Sequence, residues 1–226
     1  MTHLSDMLVL FDVNGTLMDD THRAHAATND VLSSRRIALL SLEEFLDRFR
    51  LPLLDFLTDL GVSDTGLALE EWNRGLADRE APARAGAERL LRGLRAAGAR
   101  VGVVSAAAAS AVHGDLDRTG LAPYLDVIVT DADDKIAHLD AHRANHARLV
   151  YVGDTEYDIA CARTAGYMAI AVTGGYRSES LLQAARPDAI INGLGELPRV
   201  LGHEATDVTP YGSAPGTGTG GNGFRF

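Results

Sequence analysis

The chain has 226 residues, of which 46% are hydrophobic and 23% charged. That length holds one sizeable domain, or a core domain with a small insertion, and the composition is ordinary for a soluble globular protein. Its formal net charge of −10 argues against nucleic acid or an anionic membrane as a main partner, because phosphate backbones reward clustered Lys and Arg. A small phosphorylated substrate is still admitted, since a metal ion can supply local positive charge.

The only cysteine, Cys161, permits no internal disulfide and fits a reducing, cytoplasmic setting. The N-terminal segment has no cationic flank followed by a long apolar stretch, so it reads as a strand and not as a signal peptide. No run of about 18 apolar residues is present to span a bilayer. Nothing in the pattern fixes an oligomeric state.

In chain order, Met7 to Phe11 is a short continuous apolar run broken by Asp-Val-Asn-Gly-Thr, the pattern of a buried parallel strand ending in a loop. Residues 19–80 carry helical periods instead. Leu42, Phe45, Leu46 and Phe49 recur at helical spacing, and Leu53, Leu54, Leu57 and Leu60 continue after Pro52 with Gly61 as a stop. Trp72 and Leu76 predict a further helix near 66–80. From residue 81 strands and helices alternate. Helices are expected at 87–97, 107–119, 135–146 and from GDTEYD to Ala165. Strands are expected at 100–105, 125–130, 149–152, 168–172 and 189–191. This alternation predicts an α/β fold: a doubly wound, Rossmann-like parallel sheet with a small helical cap inserted after the first strand. The expected division is a core of 1–18 and 81–202 and a cap of 19–80. A Gly-rich tail of 203–226 cannot bury enough apolar area to order itself.

Four chemistry-bearing segments fall at the carboxyl ends of these strands, where such sheets bind ligands. Asp12, at the end of the first strand, sits in a costly place unless a cation or hydrogen bonds compensate. A carboxylate there can hold Mg²⁺ and attack phosphorus. Gly15 lets the chain turn sharply, and Thr16 can hydrogen-bond the loop. Ser105 ends the strand RVGVV with a hydroxyl and then backbone N–H groups, including that of Ala106, at a helix start. Lys135 can neutralise a transferred phosphoryl group. Asp154 and Asp158, four residues apart, would share one face of a helix start, where the dipole favours negative charge. Each segment also has a plain structural reading: a chain-reversing turn, a helix cap at Ser105, a solvated charge run around Lys135, and two capping carboxylates.

The order of these segments resembles the haloacid dehalogenase-like hydrolase superfamily over about residues 7–200, most closely its phosphoglycolate phosphatase-like branch. The resemblance implies a nucleophile at Asp12, forming an aspartyl-phosphate, and Mg²⁺ held by Asp12, Asp154 and the backbone carbonyl of Asn14, with Asp158 supporting. Thr16, Ser105, Ala106 and Lys135 would bind the phosphoryl group of a small phosphorylated substrate. It also exposes a departure. The family's phosphatases carry an acid/base Asp where this chain has Asn14, and an amide cannot shuttle a proton. Three readings follow: a working phosphatase with its base from Asp19, Asp20, His22 or His25 or with an undemanding leaving group; a phosphate-binding module that traps aspartyl-phosphate; or other family chemistry such as carbon–halogen or carbon–phosphorus cleavage. Asn14-Gly15 is moreover a sequence prone to deamidation, which would regenerate an acid.

Overall fold

The computed structural model of the chain describes residues 4–143 and 146–202; the expected tail lies outside the described residues. Strands β1 (Met7–Phe11), β2 (Arg100–Val104), β3 (Val127–Val129), β4 (Arg148–Gly153), β5 (Met168–Val172) and β6 (Ala189–Ile191) form one sheet in the order β3-β2-β1-β4-β5-β6. All pairings are parallel. The chain works outward from β1 to β3, then returns to lay β4 on the other side of β1. The crevice between β1 and β4 is therefore the point where the winding reverses, which is where ligands bind in open parallel sheets.

Both faces of the sheet are covered. Helices α1 (Thr21–Ser34), α2 (Leu42–Arg48), α3 (Leu53–Asp59), α4 (Thr65–Ala77) and α5 (Ala87–Ala96) separate β1 from β2. Helices α6 (Ala109–Arg118), α7 (Lys135–His142), α8 (Glu156–Thr164) and α9 (Glu179–Ala184) fill the later crossovers, and α10 (Leu197–Val200) follows β6. The two-residue period of a strand divides β1 between two cores. Met7, Val9 and Phe11 join Leu90, Leu91 and Leu94 of α5; Leu8 and Leu10 join Leu139 of α7 and Ile159 of α8. Burial on both faces is why MLVLF is apolar throughout.

Helices α1 to α4 hold a separate apolar cluster, built on Phe45, Phe49, Phe56 and Trp72. Trp72 donates its indole N–H to the Thr28 hydroxyl at 3.0 Å. The pattern read from Leu42 to Leu60 is two helices, with Pro52 capping the second, because a proline cannot continue the first helix and restrains the residue before it. Helix α6 begins at Ala109, two residues later than expected. Asp131 Oδ2 accepts from the Ala109 N–H at 3.0 Å, and residues 105–108 are kept as a loop. The short helices α9 and α10 left no periodicity to read. Among the described residues no helix is long and apolar enough to cross a membrane.

Candidate active site

The backbone beyond β1 continues the sheet for one more bond, as Asp12 N donates to Val152 O at 2.8 Å. It then winds tightly, with Thr16, Leu17 and Met18 N–H all directed to Val13 O. Gly15 turns at φ +71°, and a Cβ there would lie 2.2 Å from Asp154 Oδ2. Only glycine meets both demands. On the neighbouring strand, β4 ends at Gly153 and delivers Asp154, fully buried. Its Oδ1 accepts from the Thr16 hydroxyl at 2.9 Å and its Oδ2 from the Tyr176 N–H at 2.7 Å.

Asp154 and Asp158 do not share a helix face as expected. Asp154 precedes α8, while Asp158 is in its first turn and forms a capping box with Thr155. The Thr155 hydroxyl and Asp158 Oδ2 are 2.6 Å apart. The two carboxylates converge because strand end and helix start fold back on each other. Gly153 permits this, since a Cβ there would fall 2.3 Å from that of Asp158.

Lys135 is not solvated either. It opens α7, six residues beyond β3, and its side chain is completely buried. Nζ lies 3.0 Å from Asp12 Oδ1 and 2.6 Å from Asp158 Oδ1. One oxygen from each of Asp12, Asp154 and Asp158 lies within 4.8 Å of the others. Three carboxylates against one ammonium leave an excess that one divalent cation would balance. Burial, partly offset by Lys135 and reinforced by Asp158, raises Asp12 from 3.8 to about 7. Burial and the charges of Asp158 and Asp12 push Asp154 well above the usual carboxylate range. Burial pulls Lys135 down, but Asp12 and Asp158 outweigh it and hold the ammonium well above its ordinary value. A buried anionic cluster of this kind is costly without a cation, and hard oxygen donors suit Mg²⁺.

Ser105 is buried beyond β2; its N–H donates to Val129 O at 3.0 Å, and its hydroxyl oxygen accepts from Ala107 N at 3.2 Å. The accepting role leaves the hydroxyl proton available to a ligand. Ser105 and Ala106 share one cavity of about 310 Å³ with Asp12 and Asn14. Thr16 does not line it: the side chain is fully buried and spends its hydroxyl on Asp154.

Asn14 is 8% exposed. Its Nδ2 donates to Asp20 Oδ2 at 2.6 Å, while its Oδ1 is buried with no partner. Asp20 also accepts from Gly15 N at 2.7 Å, Arg23 at 2.9 Å and the Tyr176 hydroxyl at 3.0 Å. Of the four candidate bases only Asp20 reaches this loop. Asp19 and His22 are exposed, and His25 Nε2 is 2.7 Å from Leu40 O inside the helical cluster.

Tyr176 and Arg177, which follow β5, were missed from the sequence. The available signal was Gly174-Gly175 just after a strand: a Cβ on Gly175 would lie 2.2 Å from Asp154 Oδ2. The Tyr176 ring packs edge-on against Phe49, centroids 4.7 Å apart. Arg177 donates to the carbonyls of Leu46, Asp47 and Phe49 at the end of α2 and pairs with Glu156 at 2.7 Å. The helical segment is thereby fastened over the strand ends.

Residues 9–172 match the family described as haloacid dehalogenase-like hydrolase. The chain is 32% identical over 187 residues to a phosphoglycolate phosphatase of Cereibacter sphaeroides, covering 75% of this chain and 86% of that protein. It is 26% identical over 206 residues to the pyrophosphatase PpaX of Bacillus pumilus, covering 86% and 95%. In fold it resembles a haloacid dehalogenase-like hydrolase from Streptococcus pneumoniae (TM-score 0.74, 19% identity, 86% of this chain and 97% of that one). It likewise resembles CbbY from Rhodobacter sphaeroides in complex with phosphate (TM-score 0.65, 20% identity, 85% and 96%). The chain belongs to the haloacid dehalogenase-like hydrolase family, in its phosphoglycolate phosphatase-like branch.

Proposed function

We propose that the protein is a Mg²⁺-dependent phosphatase that cleaves a small phosphorylated metabolite through an aspartyl-phosphate on Asp12. The observation that carries this is the convergence of Asp12, Asp154, Asp158 and Lys135 beside one cavity. A bound Mg²⁺, held by Asp12, Asp154 and the Asn14 carbonyl with Asp158 in support, would supply charge neutralisation to the transferring phosphoryl group. Lys135 fixes the Asp12 carboxylate by its Oδ1 and adds a second positive charge. The Ser105 hydroxyl and the Ala106 N–H hold phosphoryl oxygens in line with the nucleophile. Asp158 positions Lys135 and caps α8. Thr16 and the Tyr176 N–H orient Asp154. The segment 19–80 serves as the cap that closes the cavity from the far side.

Asn14 gives weight to a second reading, in which the acyl-phosphate forms but turns over feebly, because loss of an acid/base group typically costs about 10²–10⁴ in rate. A screen of phosphorylated metabolites with and without Mg²⁺, alongside Asp12→Asn, tests the main reading. Phosphate release that needs Mg²⁺ and vanishes in Asp12→Asn is expected; release that persists in that variant overturns it. Single-turnover kinetics separate the two: a burst of leaving group with almost no steady rate favours trapping.

A further inference from the structure

The cavity beside Asp12 has a two-part lining. Its floor carries Asp12, Asn14, Ser105 and Ala106, whereas its roof is formed by Phe49, Leu51, Leu53, Leu69 and Trp72, with Tyr176 at the junction. No Lys, Arg or His is among the described residues that line it. The charged lining residues besides Asp12 are Asp131 and Asp133, which repel a second anionic group. A substrate carrying a carboxylate or another phosphate on its organic part would place that charge against apolar wall with no counter-ion, a costly burial. A polyhydroxylated one would meet Asn73 as the only amide on the roof. The Tyr176 hydroxyl is already committed to Asp20. Aromatic and aliphatic walls instead suit a flat, uncharged ring.

Asn14 adds an independent constraint. Asp20 offers only acceptors, so the amide nitrogen must turn toward it, and Oδ1 is left without a partner in a side chain more than nine-tenths buried. An amide has no proton to transfer, so Asn14 cannot protonate a leaving oxygen. A leaving group must then depart as its anion. Phenolic hydroxyls ionise at about 10; aliphatic ones are far weaker acids, close to water itself.

Resting on the phosphatase reading above, we infer that the substrates of this site are phosphate monoesters of uncharged phenols, that is, aryl phosphates. In the first step an Asp12 oxygen bonds to phosphorus as the P–O(aryl) bond breaks. The aryloxide leaves and takes its proton from bulk water. In the second step a water oxygen bonds to phosphorus of the acyl-phosphate as the bond between phosphorus and the Asp12 oxygen breaks. Its proton passes to the phosphate released, and Asp12 regains its carboxylate.

The test is a comparison of kcat/KM on the full chain with Mg²⁺ for phenyl phosphate, benzyl phosphate, 2-phosphoglycolate and pyrophosphate. Phenyl and benzyl esters differ little in shape but greatly in leaving-group basicity. Phenyl phosphate is expected to exceed benzyl phosphate by about 10²-fold or more, the usual scale of a missing general acid, and to exceed both doubly anionic substrates. Equal rates for phenyl and benzyl phosphate, or preference for either anionic substrate, overturn the inference while leaving a phosphatase. No release from any of the four, with no acyl-phosphate burst, overturns the phosphatase reading and the inference with it. Leu69→Arg adds a cation to the roof at a half-buried position and is expected to shift the ratio of 2-phosphoglycolate to phenyl phosphate upward by about 10-fold, the scale of one hydrogen bond to a charged group. An unchanged ratio in a folded variant counts against the charge argument.

Discussion

Asn14 Nδ2 donates to Asp20 Oδ2 over 2.6 Å, so this amide is the partner of a buried carboxylate. Replacing it by Asp sets two carboxyl groups at bonding distance, and they cannot both ionise there. One proton is then retained between them and is available to a leaving oxygen. Asn14→Asp is expected to raise turnover of benzyl phosphate by about 10²-fold and that of phenyl phosphate far less, so the preference between them collapses. It is also expected to lower Tm, since a donor is exchanged for a second acceptor. Steady-state rates on the two esters, with a thermal melt, check both halves. An unchanged benzyl rate would mean that another group already performs the proton transfer.

The same carboxylate protects the chemistry of the loop. Succinimide formation at Asn14-Gly15 requires the Gly15 nitrogen to lose its proton and attack the Asn14 amide carbon. Here that N–H is held by Asp20 Oδ1 at 2.7 Å, and the amide is turned by Asp20 Oδ2. A neighbouring negative charge opposes the required deprotonation. The wild-type chain is expected to keep its amide through days at pH 8, while Asp20→Ala deamidates. Mass spectrometry of the peptide bearing residue 14 reads this directly, and equal rates in the two proteins would remove the protective role.

The strands and the acidic tips were legible because each rests on a local pattern. MLVLF ending at Asp12 and LVYVG ending at Asp154 announce buried parallel strands, and these bring the two carboxylates together. The paired glycines and the Thr155-x-x-Asp158 spacing were also available, since they reflect a close approach and a capping box. What was not legible depends on contacts distant in the chain. Nothing local marks Tyr176 as the donor to Asp154 and Asp20, or Lys135 as buried within a run of acidic neighbours. Arg23 joins Asp20 to Asp115, 92 residues further on, and only the folded crossover reveals that link.

The acidic cluster also sets a pH dependence. In the unfolded chain Asp12 ionises near 3.8, and in the metal-free fold burial raises it to about 7. Between these values the folded state binds the extra proton. Its contribution to stability is fully present below about pH 4 and is lost as pH rises through about 7, and Asp154, raised in the same direction, adds to the trend. Mg²⁺ requires the ionised carboxylates. The rise in Tm on adding Mg²⁺ is therefore expected to be small at pH 5 and large at pH 8, with protons released on binding. Melting curves at the two pH values with and without Mg²⁺ test this; a pH-independent shift would place the metal elsewhere.

Arg177 ties the end of α2 to the start of α8. One of its nitrogens, Nη1, donates to three carbonyls at the end of α2, while Nε and Nη2 pair with Glu156, two residues before Asp158. A planar five-donor fork can serve both directions at once, and an ammonium cannot. Arg177→Ala leaves a buried helix terminus without its donor, and is expected to cost about 3 kcal/mol given about 1–3 kcal/mol per buried unsatisfied group. Arg177→Lys is expected to restore only part of this. Because Tyr176, the adjacent residue, holds both Asp154 and the wall at Phe49, loosening the latch also loosens the cavity. KM for phenyl phosphate is expected to rise more than kcat falls. Denaturant melts and steady-state kinetics on the two variants decide the matter: full rescue by Lys would show that charge alone, and not the fork, fastens the cap.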